Sequence, residues 1–95
     1  MSLRFLVDSM HGYVARWLRI MGYDTVYLNN IGDHEAVRIA SEGRILITSD
    51  IELAKYAEAN GITVVMVKGL NEQEALRTII RRFNLAFKEE FLRCT

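Results

Sequence analysis

Short apolar runs of three to five residues alternate along this chain with longer stretches in which apolar positions recur every third or fourth residue. The first rhythm suits buried strands and the second suits amphipathic helices. Phe5-Leu6-Val7, ending at Asp8, is too short for a helix and predicts a first strand. Between His11 and Met21, Val14, Trp17, Leu18 and Met21 fall at i, i+3, i+4 and i+7 with Gly22 as the stop. That spacing predicts a first helix, with Trp17 in the core and Arg16 and Arg19 off the apolar stripe. Thr25 to Leu28 reads as strand two, Asp33 to Ser41 as a short helix, Ile45 to Thr48 as strand three and Asp50 to Ala59 as helix three. Thr63 to Val67 reads as strand four, and Asn71-Glu72-Gln73-Glu74 has capping-box spacing before a helix reaching Phe83. Two other helix starts follow the same logic: Asp33 as an N-cap, and Ser49 with Glu52 as a capping box that leaves Asp50 at the first helical position.

Strands alternating with helices place the chain in the α/β class, as a mostly parallel four-stranded sheet covered by helices on both faces. Pro is absent, and no shift in composition marks a linker, so residues 1–95 read as one domain whose segment 84–95 is an ambiguous tail. In such sheets ligands bind beyond the carboxyl ends of the strands, where the strand order reverses. Asp8, Ser9, Asn29, Asn30, Asp33, Thr48, Ser49, Asp50 and Asn71 all follow a strand end and share that rim, whereas Asp24, Glu42 and Arg44 precede strands and belong to the opposite end.

Composition narrows the function classes. Leu, Ile, Val and Phe supply 30 of 95 residues, well above the roughly 20% floor below which chains stay disordered. The longest apolar runs fall far short of the about 20 residues a membrane-spanning helix needs. Met1-Ser2-Leu3-Arg4 lacks the basic-then-apolar architecture of a signal peptide, so a cytoplasmic address is the expectation. The lone Cys94 excludes an internal disulfide or a multi-thiolate zinc site, so any metal would be held by oxygen or imidazole. Lys plus Arg equals Asp plus Glu at 12 each, which argues against coating duplex DNA by net charge; nucleic acid would meet local patches.

With strand order 2-1-3-4 the crevice falls between strands one and three, which end at Asp8 and Asp50. Two carboxylates facing each other ask for a cation between them, and hard oxygen donors favour Mg²⁺ or Mn²⁺. Asp33 or Glu35 would add a third carboxylate and Glu52 a fourth, although capping suits Asp33 and Glu52 equally well. His11 and His34 lie near the rim and read as solvated surface groups.

Phe5-Leu6-Val7-Asp8, Ala15-Arg16-Trp17-Leu18-Arg19, Gly22-Tyr23-Asp24-Thr25 and the segment Gly43 to Asp50 resemble the Mut-seven C-terminal RNase domain family, a PIN-like nuclease group. The resemblance runs from the first strand to the fourth helix. It implies a PIN-like three-layer α/β/α sandwich and metal-dependent ribonuclease activity, with catalytic acids at Asp8, Asp50 and Asp33. Three departures stand out: Ser49 where the family has Arg before the second acid, His11 where it has a leucine after the first, and a sequence ending at Arg93-Cys94-Thr95, where members continue into a Cys-rich zinc ribbon.

The leading expectation is a ribonuclease in which Asp8, Asp50 and Asp33 hold Mg²⁺ or Mn²⁺ and water attacks an RNA phosphodiester. Arg16 and Arg19, or Arg77, Arg81 and Arg82, would contact phosphates unless they only form solvated helix faces. The alternative is a catalytically decayed module of the same fold that binds RNA or a protein. A receiver-like phosphoacceptor domain fits poorly, since receivers use five βα units with a Lys after the last strand, and this chain reads as only four.

Overall fold

The computed structural model describes residues 3–28 and 32–85. Along them run β1 (Arg4–Val7), α1 (Gly12–Ile20), β2 (Asp24–Tyr27), α2 (Asp33–Ala40), β3 (Ile45–Thr48), α3 (Ile51–Ala59), β4 (Val64–Met66) and α4 (Glu72–Phe83). The strands pair in parallel in the order β2-β1-β3-β4. Phe5 lies opposite Thr25 and Ile45, and Leu46 opposite Val64, so β1 and β3 are the two central strands.

Period-two alternation sorts the strand side chains onto two faces. Phe5, Val7, Ile45, Ile47 and Val65 pack with Val14, Leu18, Leu76 and Ile79, under α1 and α4. Leu6, Leu46 and Val64 pack with Ala36, Val37, Leu53 and Ala57, under α2 and α3. The result is the expected three-layer sandwich. Because parallel strands are buried on both faces, β1 and β3 read as continuous apolar runs rather than alternating ones. Trp17 is half-buried and packs against the first of these cores. No helix among the described residues is long and apolar enough to cross a membrane.

Helix ends follow local chemistry. Gly22, at φ +94, lets the chain leave α1, with its own N–H on the Arg19 carbonyl and the Tyr23 N–H on the Leu18 carbonyl. This pair of bonds satisfies carbonyls that the last turn leaves open. Asn84, at φ 51, ends α4 in the same left-handed manner. At the start of α4 the Asn71 side chain accepts from the Glu74 N–H at 2.8 Å and the Glu74 carboxylate accepts from the Asn71 N–H at 3.0 Å, as the spacing predicts. Asn71→Ala is therefore expected to cost about 1 kcal/mol. A thermal melt would show this as a fall of about 4–8 °C for a domain of this size.

Several boundaries differ from expectation. β2 begins one residue earlier, at Asp24, and β4 is only Val64–Met66. The N-cap of α2 is Gly32 rather than Asp33, which is the first helical residue and complements the positive end of the helix dipole. The N-cap of α3 is Asp50 rather than Ser49, so no Ser49/Glu52 capping box forms. Asn29, Asn30, Cys94 and all of the tail beyond Leu85 lie outside the described residues.

At the amino ends of the strands, the Arg44 guanidinium donates to the Phe5 and Asp24 carbonyls and to the Asp24 carboxylate, each at 3.2 Å. Arg44 and Asp24 thus hold the closed end of the sheet together, opposite the rim.

Candidate active site

The strand order places its reversal between β1 and β3, and Asp8 and Asp50 follow the carboxyl ends of these two strands. Asp8 extends the ladder by one step, its N–H donating to the Ile47 carbonyl at 3.0 Å. Beyond β3 the chain turns through Ser49 into Asp50, whose Oδ1 accepts from the Glu52 and Leu53 N–H groups at 3.0 and 3.3 Å. Asp50 is therefore a helix cap and a rim carboxylate at once.

Thr48 joins the two acids. Its side chain is fully buried at the end of β3, and its hydroxyl donates to Asp8 Oδ2 at 2.8 Å while accepting from the Asp50 N–H at 3.0 Å. The other Asp8 oxygen accepts from the Ser9 N–H at 2.7 Å. A buried hydroxyl with one donor and two acceptor sites is well spent on such a bridge. Sequence reading put Thr48 on the rim without a role; the available signal was a polar residue closing a strand otherwise built from Ile and Leu.

A second link lies farther out along the same loops. His11 Nε2 is 3.2 Å from Ser49 Oγ. His11 is only 7% exposed, contrary to the expected solvated ring, because the β1–α1 loop folds back with the His11 N–H on the Asp8 carbonyl at 3.0 Å. Its Nδ1 is buried without a hydrogen-bond partner among the described residues. On the outer side the Tyr27 hydroxyl donates to the Ser9 carbonyl. A Cβ on Gly12 would stand 3.3 Å from that hydroxyl, so the close approach favours glycine there.

The side chains of the remaining acidic candidates make no hydrogen bond to this bridge among the described residues. Asp33 is exposed at the start of α2. Glu35 faces Arg38 one turn on, with Arg38 Nε 3.1 Å from each carboxylate oxygen. The Arg38 hydrogen bond holds the Glu35 carboxyl below its usual value and raises Arg38 in turn. This pair helps above the ordinary carboxylate range, loses its contribution as pH falls through the lowered value, and is screened by solvent. His34 packs edge-on against Tyr56, with centroids 5.6 Å apart. Among the described residues, no three His, Cys, Asp or Glu side chains gather as a metal-binding group.

The arginines mostly lead away from the rim. Helices α1 and α4 begin there and run back along the sheet, about 1.5 Å per residue, so Arg19, Arg81 and Arg82 in the last turns lie toward the closed end. Arg19 Nε donates to the Thr25 carbonyl at 3.1 Å, bracing α1 against the start of β2. Arg16 is exposed midway along α1. The rim also exposes apolar side chains: Met10, Ile51 and Leu70 follow strand ends, and Tyr27 and Met66 are the last residues of β2 and β4.

Each carboxylate oxygen can accept more than one partner, and Asp50 Oδ2 has no hydrogen bond in the described structure. Mg²⁺ commonly uses one or two protein carboxylates with waters and substrate phosphates completing its shell. Asp8 and Asp50 supply carboxylate oxygens of the kind such a shell uses, whereas a site built from three clustered protein carboxylates is not formed among the described residues.

A family model for the Mut7-C RNAse domain matches residues 3–95. No curated protein and no solved structure shows a significant match.

Proposed function

Since the chain belongs to the Mut7-C RNAse domain family, whose function is of the ribonuclease type, we propose that it is a metal-dependent ribonuclease with Asp8 and Asp50 as its metal-holding carboxylates. The observation that carries this reading is the Thr48 hydroxyl joining the Asp8 carboxylate to the Asp50 backbone across the two central strands. A fully buried side chain committed to holding two acid-bearing loops in register is more than capping requires, since the α3 cap is complete without Asp8.

When bound, Mg²⁺ or Mn²⁺ would polarise a phosphoryl oxygen and acidify water for attack on phosphorus. Asp8 and Asp50 would hold the ion and offset its charge. Thr48 and the Ser9 N–H fix the Asp8 carboxylate, so it needs no reorganisation when substrate arrives. Asp33 adds negative charge at the rim from the start of α2, beside the two acids in chain topology rather than joined to them. The exposed Met10, Tyr27, Ile51, Met66 and Leu70 suit contact with the faces of unpaired bases, the part of RNA open to apolar and aromatic side chains.

The test is cleavage of labelled single-stranded and duplex RNA with Mn²⁺ and with chelator, alongside thermal melts. Cleavage of the single-stranded RNA in Mn²⁺, abolished by chelator, is expected. Mn²⁺ at about 100 times its Kd should stabilise the parent by about 2.7 kcal/mol through linkage. Asp50→Asn, which keeps a competent cap, should melt like the parent in chelator and gain nothing from Mn²⁺. Chelator-resistant cleavage removes the metal from the mechanism. RNA binding without cleavage under every condition would favour the decayed binding module.

A further inference from the structure

Two side-chain hydrogen bonds close a ring at the rim. One runs from Thr48 to Asp8 at 2.8 Å, the other joins His11 and Ser49 at 3.2 Å, and the chain segments 8–11 and 48–49 complete the circuit. The ring contains Asp8 and is followed immediately by Asp50. Resting on the ribonuclease reading, we infer that His11 is a positioning residue: its bond to Ser49 ties the loop carrying Asp8 to the loop carrying Asp50 and so sets how the two carboxylates are presented to a divalent cation.

The burial of His11 argues for this role over a merely structural one. In a neutral ring one nitrogen donates and the other accepts. With Nε2 engaged by Ser49, Nδ1 is left buried and, among the described residues, without a partner. A buried polar atom without a partner opposes folding, and an apolar side chain of similar size would avoid that penalty. The site thus holds an imidazole at a position where an apolar residue would serve packing better. What the imidazole adds is reach: it spans from the start of α1 to the loop before α3, a connection between residues 38 apart in sequence. Thr48 and the Asp8 N–H, on the Ile47 carbonyl, fix the base of the two loops, next to the strands. Ties at the base leave the outer parts of the loops able to splay; the His11–Ser49 bond removes that freedom. Ser49, gripped by His11, directly precedes Asp50, so motion at one passes to the other through a single peptide unit.

The experiment compares the parent with His11→Leu, His11→Gln, Ser49→Ala and the double variant His11→Leu/Ser49→Ala. Mn²⁺ affinity is measured by calorimetry without RNA, melting temperature in chelator, and kcat/KM on single-stranded RNA. His11→Leu and Ser49→Ala should each weaken Mn²⁺ binding and lower kcat/KM by about 10–100-fold, the range for residues that orient metal ligands. The melting temperature of His11→Leu in chelator should equal or exceed that of the parent. His11→Gln, whose amide can either donate to or accept from the Ser49 hydroxyl in place of Nε2, should recover most of the affinity. The double variant should lose no more than either single change, since both cut one bond. Parent-like Mn²⁺ affinity in His11→Leu, with the parent active, overturns the positioning role alone. Loss of affinity matched by a lower melting temperature and not rescued by Gln also overturns it, reducing His11 to a packing residue. A parent that neither binds Mn²⁺ nor cleaves RNA overturns the ribonuclease reading and this inference with it.

Discussion

Asp8→Asn is expected to abolish RNA cleavage while leaving the fold intact. Asparagine has nearly the same shape, its amide oxygen can accept the Ser9 N–H, and its NH₂ can donate to the Thr48 hydroxyl, which turns to accept it. What disappears is the negative charge. A metal-holding carboxylate should be worth more than the about 10–100-fold seen for groups that merely orient ligands. Asp8→Asn should therefore lose more than about 100-fold in kcat/KM and lose the Mn²⁺-dependent rise in melting temperature, while melting near the parent in chelator. Asp24→Asn serves as the control from the closed end of the sheet, where the carboxylate meets Arg44 at 3.2 Å, and should retain cleavage. Equal activity in Asp8→Asn and the parent would remove Asp8 from the site.

Thr48→Val should damage stability and activity together. Valine preserves the branched shape that suits the end of β3, yet it removes the hydroxyl that serves both Asp8 Oδ2 and the Asp50 N–H. Thr48 is 0% exposed, so water cannot readily stand in for it. Leaving buried polar groups unpaired costs about 1–3 kcal/mol, and each kcal/mol lowers the melting temperature by about 4–8 °C in a domain of this size. Thr48→Ser, which keeps the hydroxyl, should restore Mn²⁺ binding and most of the activity at some loss of packing. A Thr48→Val protein with parent-like melting and cleavage would show that the bridge organises nothing.

Much of the scaffold for these expectations was legible along the chain. The apolar runs of β1 and β3 announced buried parallel strands, and their carboxyl-end residues Asp8 and Asp50 became neighbours once the order β2-β1-β3-β4 brought β1 beside β3. The Asn71 capping box is likewise local, since both of its partners lie within four residues. The resemblance to the RNase domain family rested on contiguous segments and is matched by the family model over residues 3–95. Its departures at His11 and Ser49, however, looked independent on paper. In the structure these two residues touch each other.

Periodicity, capping and strand ends are short-range properties, and from them the sequence by itself determined the four βα units, a sheet with helices on both faces and the pair of acids at the rim. Tertiary structure decided the rest. The N-cap of α3 passed from Ser49 to Asp50 because Ser49 is drawn to His11 from a loop 38 residues earlier. His11 became buried, and Thr48 became a bridge, because β1 and β3 lie side by side and their two following loops must satisfy each other's polar groups away from water. Such pairings follow from which distant segment lies adjacent, and a hydroxyl, an imidazole or a carboxylate at a loop position carries no local mark of the partner it will meet.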